Sequence, residues 1–440
     1  MIAGQFGEAA DYFHQSSDAY AEHGDGAASR MSRVLRALAL VELGERDRAK
    51  HLLAMTGQEA EREEDDQALL ASLSGLTEVA MGEDDYQQAL HFVDTALTQA
   101  EERDVSLGAW QAKLLKLEVI LGAEGILAFD QAIEQTALPE GLRVRELDEV
   151  RYLGLSALSK VYRGNLGVGT TDGAEAVRRL VNLGKPSIAI RLLGWISERF
   201  EDAGEHDIAI QFADKAAVVA LAVGNLPVAI SALSHTSRLF VQSDRPAEAI
   251  EVLERAIGEA QRVGSVVELE SLLRSALSIE RALDYPRLVV HRLLRLAEVV
   301  SALYGIERKQ ECLVEALTVA VAGHVGDARQ IAESVVAHLS RDALDRMDDK
   351  QLLRLAKTLG GADQFEVAQG FVMARAQDYV SQGRTRRAAE MVAEFAEIAW
   401  SQGRADFTES AYAMAIVLGE RMNLLETETW RQRLDSVLYD

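Results

Sequence analysis

The chain has one cysteine in 440 residues, Cys312, so an internal disulfide is excluded and a reducing compartment, the cytoplasm, is expected. Only five prolines occur. Four of them, Pro186, Pro227, Pro246 and Pro286, follow an expected helix break and fall in a first turn, where the missing N–H costs nothing. Aromatics make up 6% of residues against 48% apolar, so the core must be built from Ala, Leu, Val and Ile, which suits close-packed helices. No run approaches about eighteen consecutive apolar residues, so no transmembrane helix is expected. No basic stretch followed by an apolar one opens the chain, so no signal peptide is expected either. Basic charge is scarce: 46 Lys and Arg face 70 Asp and Glu, a net charge of −24. Residues 1–110 carry 22 acidic and 8 basic side chains, a net of −14, with a dense run at Glu59–Asp66. The remainder carries 48 and 38, a net of −10. Such a balance repels nucleic-acid phosphates and anionic lipid, so neither is expected as a direct partner, and solubility is its simplest role.

Recognisable chemistry is also scarce. The nine histidines are scattered, and none forms the HExxH metal motif. His14/Asp18 and His338/Asp342 are i,i+4 pairs without a nearby third ligand, which reads as surface polarity, so no metal and no cofactor are expected. There is no Gly-x-Ser-x-Gly elbow. Gly164-x4-Gly169-Thr-Thr has the glycine spacing of a phosphate-binding loop, but Thr170 stands where the lysine is needed. Cys312 lies on an apolar-periodic helix with Leu313, Ala316, Leu317 and Ala320, the pattern of a packed core thiol. Trp110, Trp195 and Trp400 read as core for the same reason.

What the chain does have is a repeat. Gly184, Gly204, Gly224 and Asp244 are each followed five residues later by Ala-Ile, at 189–190, 209–210, 229–230 and 249–250, and Gly264 extends the series. Twenty residues make one helix of about four turns plus a tight connection. A shift of forty superposes Phe200 on Phe240, Ala209-Ile210 on Ala249-Ile250, Ala216 on Ala256, Ala220 on Ala260 and Val223-Gly224 on Val263-Gly264. Asp284 and Pro286 repeat Asp244 and Pro246, and Ser-Gln-Gly-Arg occurs at both 381–384 and 401–404. Ala209 and Ala216 are seven apart, on one helix face, and their small side chains let paired helices approach closely.

On these residues the chain resembles the tetratricopeptide-repeat family, in a variant with a period near forty. Gly4-Gln-Phe6-Gly-Glu-Ala9 with Phe13, Tyr86…Ala89…Val93…Ala96, Gly204…Ala209…Ala216 and Gly383…Ala388 fit the turn, aromatic and small-residue positions of the second helix of a pair. The large aromatic of the first helix is mostly absent, and the pattern has a gap at about 120–183. The resemblance implies an all-α fold, a right-handed solenoid of antiparallel helix pairs with about 20–22 helices. The expected organisation is an N-terminal array at 1–163 that starts with a half repeat, a glycine-rich linker at 164–172, and a second array at 173–440. Leu424, Leu425, Trp430, Leu434 and Leu438 suggest a closing amphipathic helix. The half repeat reads either as the start of the solenoid or as part of a longer protein, and it makes self-association available.

In the family the first helix of each pair lines a concave surface. Carried over by the forty-residue register, that lining is Arg191, then Ser231, Ser234, His235, Arg238 and Gln242, then Ser271, Arg274, Ser275, Ser278 and Arg281. Four arginines among serines imply a cationic trough complementary to an acidic or phosphorylated protein segment, because guanidinium forks bind such oxygens bidentately. Glu198, Glu268, Glu270 and Glu280 are available to neutralise them. The expectation is a non-enzymatic scaffold or adaptor that binds a protein or peptide on its concave surface. The rivals are a regulatory sensor closing on a signalling peptide or small ligand, and an enzyme with a site at the 164–171 seam.

Overall fold

The computed structural model describes residues 3–136, 144–339 and 341–439. Among them are 23 helices, one beyond the expected range, and no strand. The chain divides into two compact units, 1–259 and 260–440. The first holds α1 (Ala3–Glu22), α2 (Gly26–Glu42), α3 (Arg46–Arg62), α4 (Asp66–Gly82), α5 (Tyr86–Glu102), α6 (Ser106–Ala123), α7 (Ile126–Glu134), α8 (Glu146–Tyr162), α9 (Leu166–Asn182), α10 (Pro186–Asp202), α11 (His206–Ala222) and α12 (Leu226–Gln242). The division falls within α13 (Pro246–Val263). The second unit continues with α14 (Val266–Ala282), α15 (Pro286–Tyr304), α16 (Ile306–Ala322), α17 (Ala328–His338), α18 (Arg341–Arg346), α19 (Asp349–Gly361), α20 (Phe365–Ser381), α21 (Thr385–Ser401), α22 (Ala405–Arg421) and α23 (Glu426–Tyr439).

The period has a simple cause. Most helices are 17 residues long and three residues connect them, with the middle residue of the connection left-handed. Glycine fills that place at 24, 44, 164, 184, 204, 224, 264, 383 and 403, where φ > 0 costs it nothing. Elsewhere Glu64, Asp84, Asp104, Asp244, Asp284 and Asn423 adopt it. The twenty-residue beat therefore runs from 24 to 104 as well, hidden by carboxylates. The N-terminal acidity has a structural use too. Asp25, Asp65 and Asp85 are N-caps whose side chains accept from the amides of Ala28, Ala68 and Gln88. Within the Glu59–Asp66 run, Arg33 pairs with Glu59 at 2.7 Å and Arg30 with Asp65 at 2.9 Å.

The 164–172 segment is not a linker. Residues 166–182 form α9, and the forty-residue register passes through it: Gly164 stands for Gly204, Gly169 for Ala209 and Ala176 for Ala216. The glycines serve close approach. A Cβ on Gly169 would lie 2.5 Å from Val161 Cγ2 and 3.0 Å from the Ala157 carbonyl oxygen, and one on Gly173 would lie 2.7 Å from Ile196 Cδ1. Thr170 and Thr171 spend their hydroxyls on the carbonyls of Leu166 and Gly167, one helical turn back. The expected boundary at 163/173 is thus replaced by the division at 259/260.

In unit 1, α2 touches α4, α4 touches α6, α6 touches α8 and α8 touches α10, besides their chain neighbours. The odd-numbered helices of unit 1 make no comparable contact among the described residues, so the even helices form its inner layer. A continuous core runs from Trp110 through Leu158, Leu193 and Phe200 to Leu239, with Phe200 and Phe212 stacked at 5.8 Å. Two expectations fail at the surface. Trp400 is 37% exposed, whereas Trp110 is buried and Trp195 half-buried. In α23 the Trp430 ring packs against Gly419, but Leu438, and Leu425 just before the helix, are 54% and 92% exposed, so these two leucines do not close the end as expected.

Candidate binding cleft on the inner layer

The structure puts the carried-over lining on α10, α12 and α14, each the first helix of a pair, and it neutralises every arginine in it. Arg191 bonds Glu118 at 3.0 Å. Arg238 lies 3.4 Å from Glu201, whose other oxygen accepts from Gln242 at 3.0 Å. Arg274 bonds Glu270 at 2.8 Å, and Glu270 also accepts from the Tyr304 hydroxyl. Arg281 pairs with Glu315. Ser231, Ser271, Ser275 and Ser278 are exposed and Ser234 is half-buried. The expected cationic trough is therefore a row of ion pairs, because each arginine sits within reach of a glutamate on its own or a neighbouring helix.

His235 and Ser197 form a pair that the sequence did not suggest, and its geometry excludes a nucleophile. Arg238 Nη2 lies 2.7 Å from His235 Nδ1. A guanidinium only donates, so Nδ1 accepts and the neutral ring carries its proton on Nε2, 3.2 Å from Ser197 Oγ. Ser197 is fully buried, and its hydroxyl donates to the Ala209 carbonyl at 2.8 Å. The imidazole thus donates to the serine and cannot take its proton. Burial and the Arg238 charge lower the imidazole pKa, against an opposing pull from Glu201. Cys312 is half-buried, and burial raises its thiol pKa. His14 and Asp18 are 3.6 Å apart and exposed; the Asp342 side chain lies outside the described residues. No group of three candidate metal ligands occurs among the described residues.

Three polar arrangements remain, two in unit 1 and one in unit 2. In unit 1, Arg151 of α8 bonds Glu118 at 2.8 Å and Glu78 at 3.2 Å, and Arg191 of α10 takes the second oxygen of Glu118. Glu78/Glu118 and Arg151/Arg191 are each forty apart, so the contact is made twice, one repeat along. Burial alone would raise Glu118, but the two guanidiniums outweigh it and hold the carboxyl below its usual range. The inner layer is also closed at α2 and α10, where the Ser187 amide and hydroxyl both donate to Glu42. Burial pushes the Glu42 carboxyl up, opposed by the Ser187 hydrogen bond and by Lys185.

In unit 2, α16 touches α19 and α19 touches α21, which makes these helices its inner layer, and a cleft of about 650 Å³ lies along α16 and α19. Its α16 wall is Glu307, Gln310, Glu311, Val314, Glu315 and Thr318. Facing it are Gln351, Arg354, Leu355, Lys357 and Thr358 of α19, with Arg346 and Met347 before it. The register foretells this lining. Adding forty to 271, 274, 275 and 278 reaches Glu311, Val314, Glu315 and Thr318, and adding forty again reaches Gln351, Arg354, Leu355 and Thr358. The cleft thus lies one repeat beyond the lining expected at 271–281. Arg281, the last residue of that lining, holds Glu315 of the cleft wall. Arg346 pairs with Glu307 and Arg308 with Glu311 at 2.7 Å. Neither Arg354 nor Lys357 has a carboxylate partner among the described residues, and both are exposed.

The chain is thus an α-solenoid of tandem helix pairs with a cleft on its inner layer. No family model and no curated protein matches it. Among solved structures it is similar to a Rap protein complexed with Competence and Sporulation Factor, at 12% identity over 83% of this chain and 99% of that one, with a TM-score of 0.40. It is similar to the apo form of the quorum sensor NprR from B. thuringiensis, at 16% identity over 77% and 95%, with a TM-score of 0.33. The P58(IPK) TPR domain gives 12% identity over 93% and 98%, with a TM-score of 0.26. Likeness of this degree transfers no function.

Proposed function

We propose that the chain is a non-enzymatic helical-repeat scaffold that captures a protein or peptide segment bearing an acidic or phosphorylated side chain in the α16–α19 cleft. One observation carries the reading. Among the described residues, Arg354, at a position that the repeat assigns to the inner surface, and Lys357, which lines the cleft beside it, stand without carboxylate partners. A preformed concavity of this size takes a few side chains with little reordering of the scaffold. The other lining arginines, Arg191, Arg238, Arg274 and Arg281, act in this reading as supports, Arg281 through Glu315. The net charge of −24 favours a protein partner over nucleic acid or anionic membrane. No helix among the described residues is long and apolar enough to cross a membrane, and the single cysteine supports a cytoplasmic location. The burial of Ser197 and the raised Cys312 thiol support a role without catalysis.

The test is selection of a displayed library of random short peptides on the immobilised full chain. Arg354→Glu with Lys357→Glu is expected to abolish the enrichment, with helicity by circular dichroism unchanged. Arg238→Glu with Arg274→Glu, which breaks pairs outside the cleft, is expected to leave most of it. Enrichment that survives the first double reversal sinks the assignment.

A further inference from the structure

We infer that the occupant of the α16–α19 cleft carries both signs of charge: an anionic group against α19 and a cationic group against α16. This rests on the reading of the cleft as the capture surface and narrows its partner. Glu307, Glu311 and Glu315 are spaced four apart, so their carboxylates form one stripe along α16. They are already paired, but in a way that leaves the stripe able to accept more. Arg308 and Arg281, which hold Glu311 and Glu315, do not line the cleft, and both pairs are exposed. Exposed pairs are weak, and an ionised carboxylate offers several acceptor sites, of which one guanidinium contact fills few. The α19 wall is the opposite case, with donors at Arg354 and Lys357 and no acceptor supplied by the described residues.

Val314 of the α16 wall, Leu355 of the α19 wall and Met347 before it suit an apolar side chain between the two charged ones. A uniformly acidic segment satisfies Arg354 and Lys357 but sets like charge against three glutamates. A uniformly basic one makes the reverse error. A segment with an acidic or phosphorylated residue on one side and a lysine or arginine on the other satisfies both walls. Repulsion from the wrong wall then supplies selectivity as much as attraction to the right one.

The composition of the selected peptides tests this. Peptides enriched on the wild-type chain are expected to combine an acidic and a basic residue around an apolar one. Glu311→Lys with Glu315→Lys is expected to weaken these peptides at least tenfold and to enrich uniformly acidic ones instead. Glu311→Gln with Glu315→Gln, which removes charge at exposed positions without adding bulk, is expected to fall between the two. If the wild-type winners are uniformly acidic and neither α16 variant changes them, the dual-charge inference is overturned while capture by α19 stands. If enrichment survives Arg354→Glu with Lys357→Glu, the capture surface itself is wrong and the inference falls with it.

Discussion

The inner layers of the two units solve one electrostatic problem in opposite ways. In unit 1, Arg151 and Arg191 are drawn into a buried array around Glu118, and Glu42 is sealed against Ser187. In unit 2, α16 and α19 touch as well, but Arg354 and Lys357 line the cleft along them without a carboxylate partner among the described residues. The register places that this pair fills in unit 1 hold other residues in unit 2. Arg151 and Arg191 share one register place with Glu311 and Gln351, while Glu78 and Glu118 share another with Thr318 and Thr358. Where an arginine meets a glutamate at the right distance across the layer, the surface is consumed by structure. In unit 2 threonine hydroxyls stand in the glutamate place and Glu311 and Gln351 in the arginine place, so that pair does not form there, and Arg354 and Lys357, at other places, keep their charges. The presence of charge on an inner helix does not by itself mark a binding site; what matters is whether the fold has already matched it.

The strongest way to break this comparison is at Glu118, whose side chain is 2% exposed. Glu118→Ala leaves two guanidiniums without their shared counter-charge and is expected to destabilise unit 1 by about 3–5 kcal/mol. Glu315→Ala, in an exposed pair, is expected to cost no more than about 1 kcal/mol. Urea unfolding of the full chain, followed by circular dichroism, compares the two, and equal losses would erase the distinction between the units. Next in size is Gly169→Ala, whose methyl meets the α8 backbone at 3.0–3.1 Å, with an expected cost of about 1–3 kcal/mol. Gly194→Ala, with nothing within 4 Å of the added carbon, should instead stabilise by up to about 1 kcal/mol through helix propensity.

A smaller effect is set by pH. The Glu42 carboxyl pKa is raised in the folded chain, so folding favours its protonated form. That contribution is complete below the unfolded glutamate value of about 4.3 and is lost as pH rises through the folded value. Glu42→Gln, which keeps an acceptor for Ser187, should therefore raise the unfolding midpoint at pH 7 and lose its advantage as pH falls below about 4. The reverse trend would mean that Glu42 is stabilised as the anion. The smallest expected change is at Arg354. Arg354→Glu, at an exposed position without a carboxylate partner among the described residues, should move stability by no more than about 0.5 kcal/mol. Paired with the loss of peptide capture, that separates a binding residue from a structural one.

Much of the fold was legible because tight turns demand a left-handed residue and glycine supplies it most cheaply. The repeat was visible at 184–264, where glycine holds that place in all turns but one, and invisible at 64–104, where Glu64, Asp84 and Asp104 adopt it. The 164–172 segment was misread for the converse reason. Gly169 and Gly173 look like loop punctuation, but they stand where alanine stands in other repeats, pressed against α8 and α10. The candidate site was legible only as a register. Continuing the forty-residue step from Ser271, Arg274, Ser275 and Ser278 reaches both cleft walls. No reading of nearest neighbours along the chain could show that Arg191 would be taken by Glu118, 73 residues away.

By itself the sequence determined the helices, their length, their turns and the face that each buries, because these depend on residues a few places apart. Only the tertiary structure decided which charges survive. Ion pairing depends on distance in space, and side chains such as Ser187 and Glu42, 145 residues apart, meet only when the layers close. The α16–α19 cleft stays open to a partner because no such meeting consumed Arg354 and Lys357.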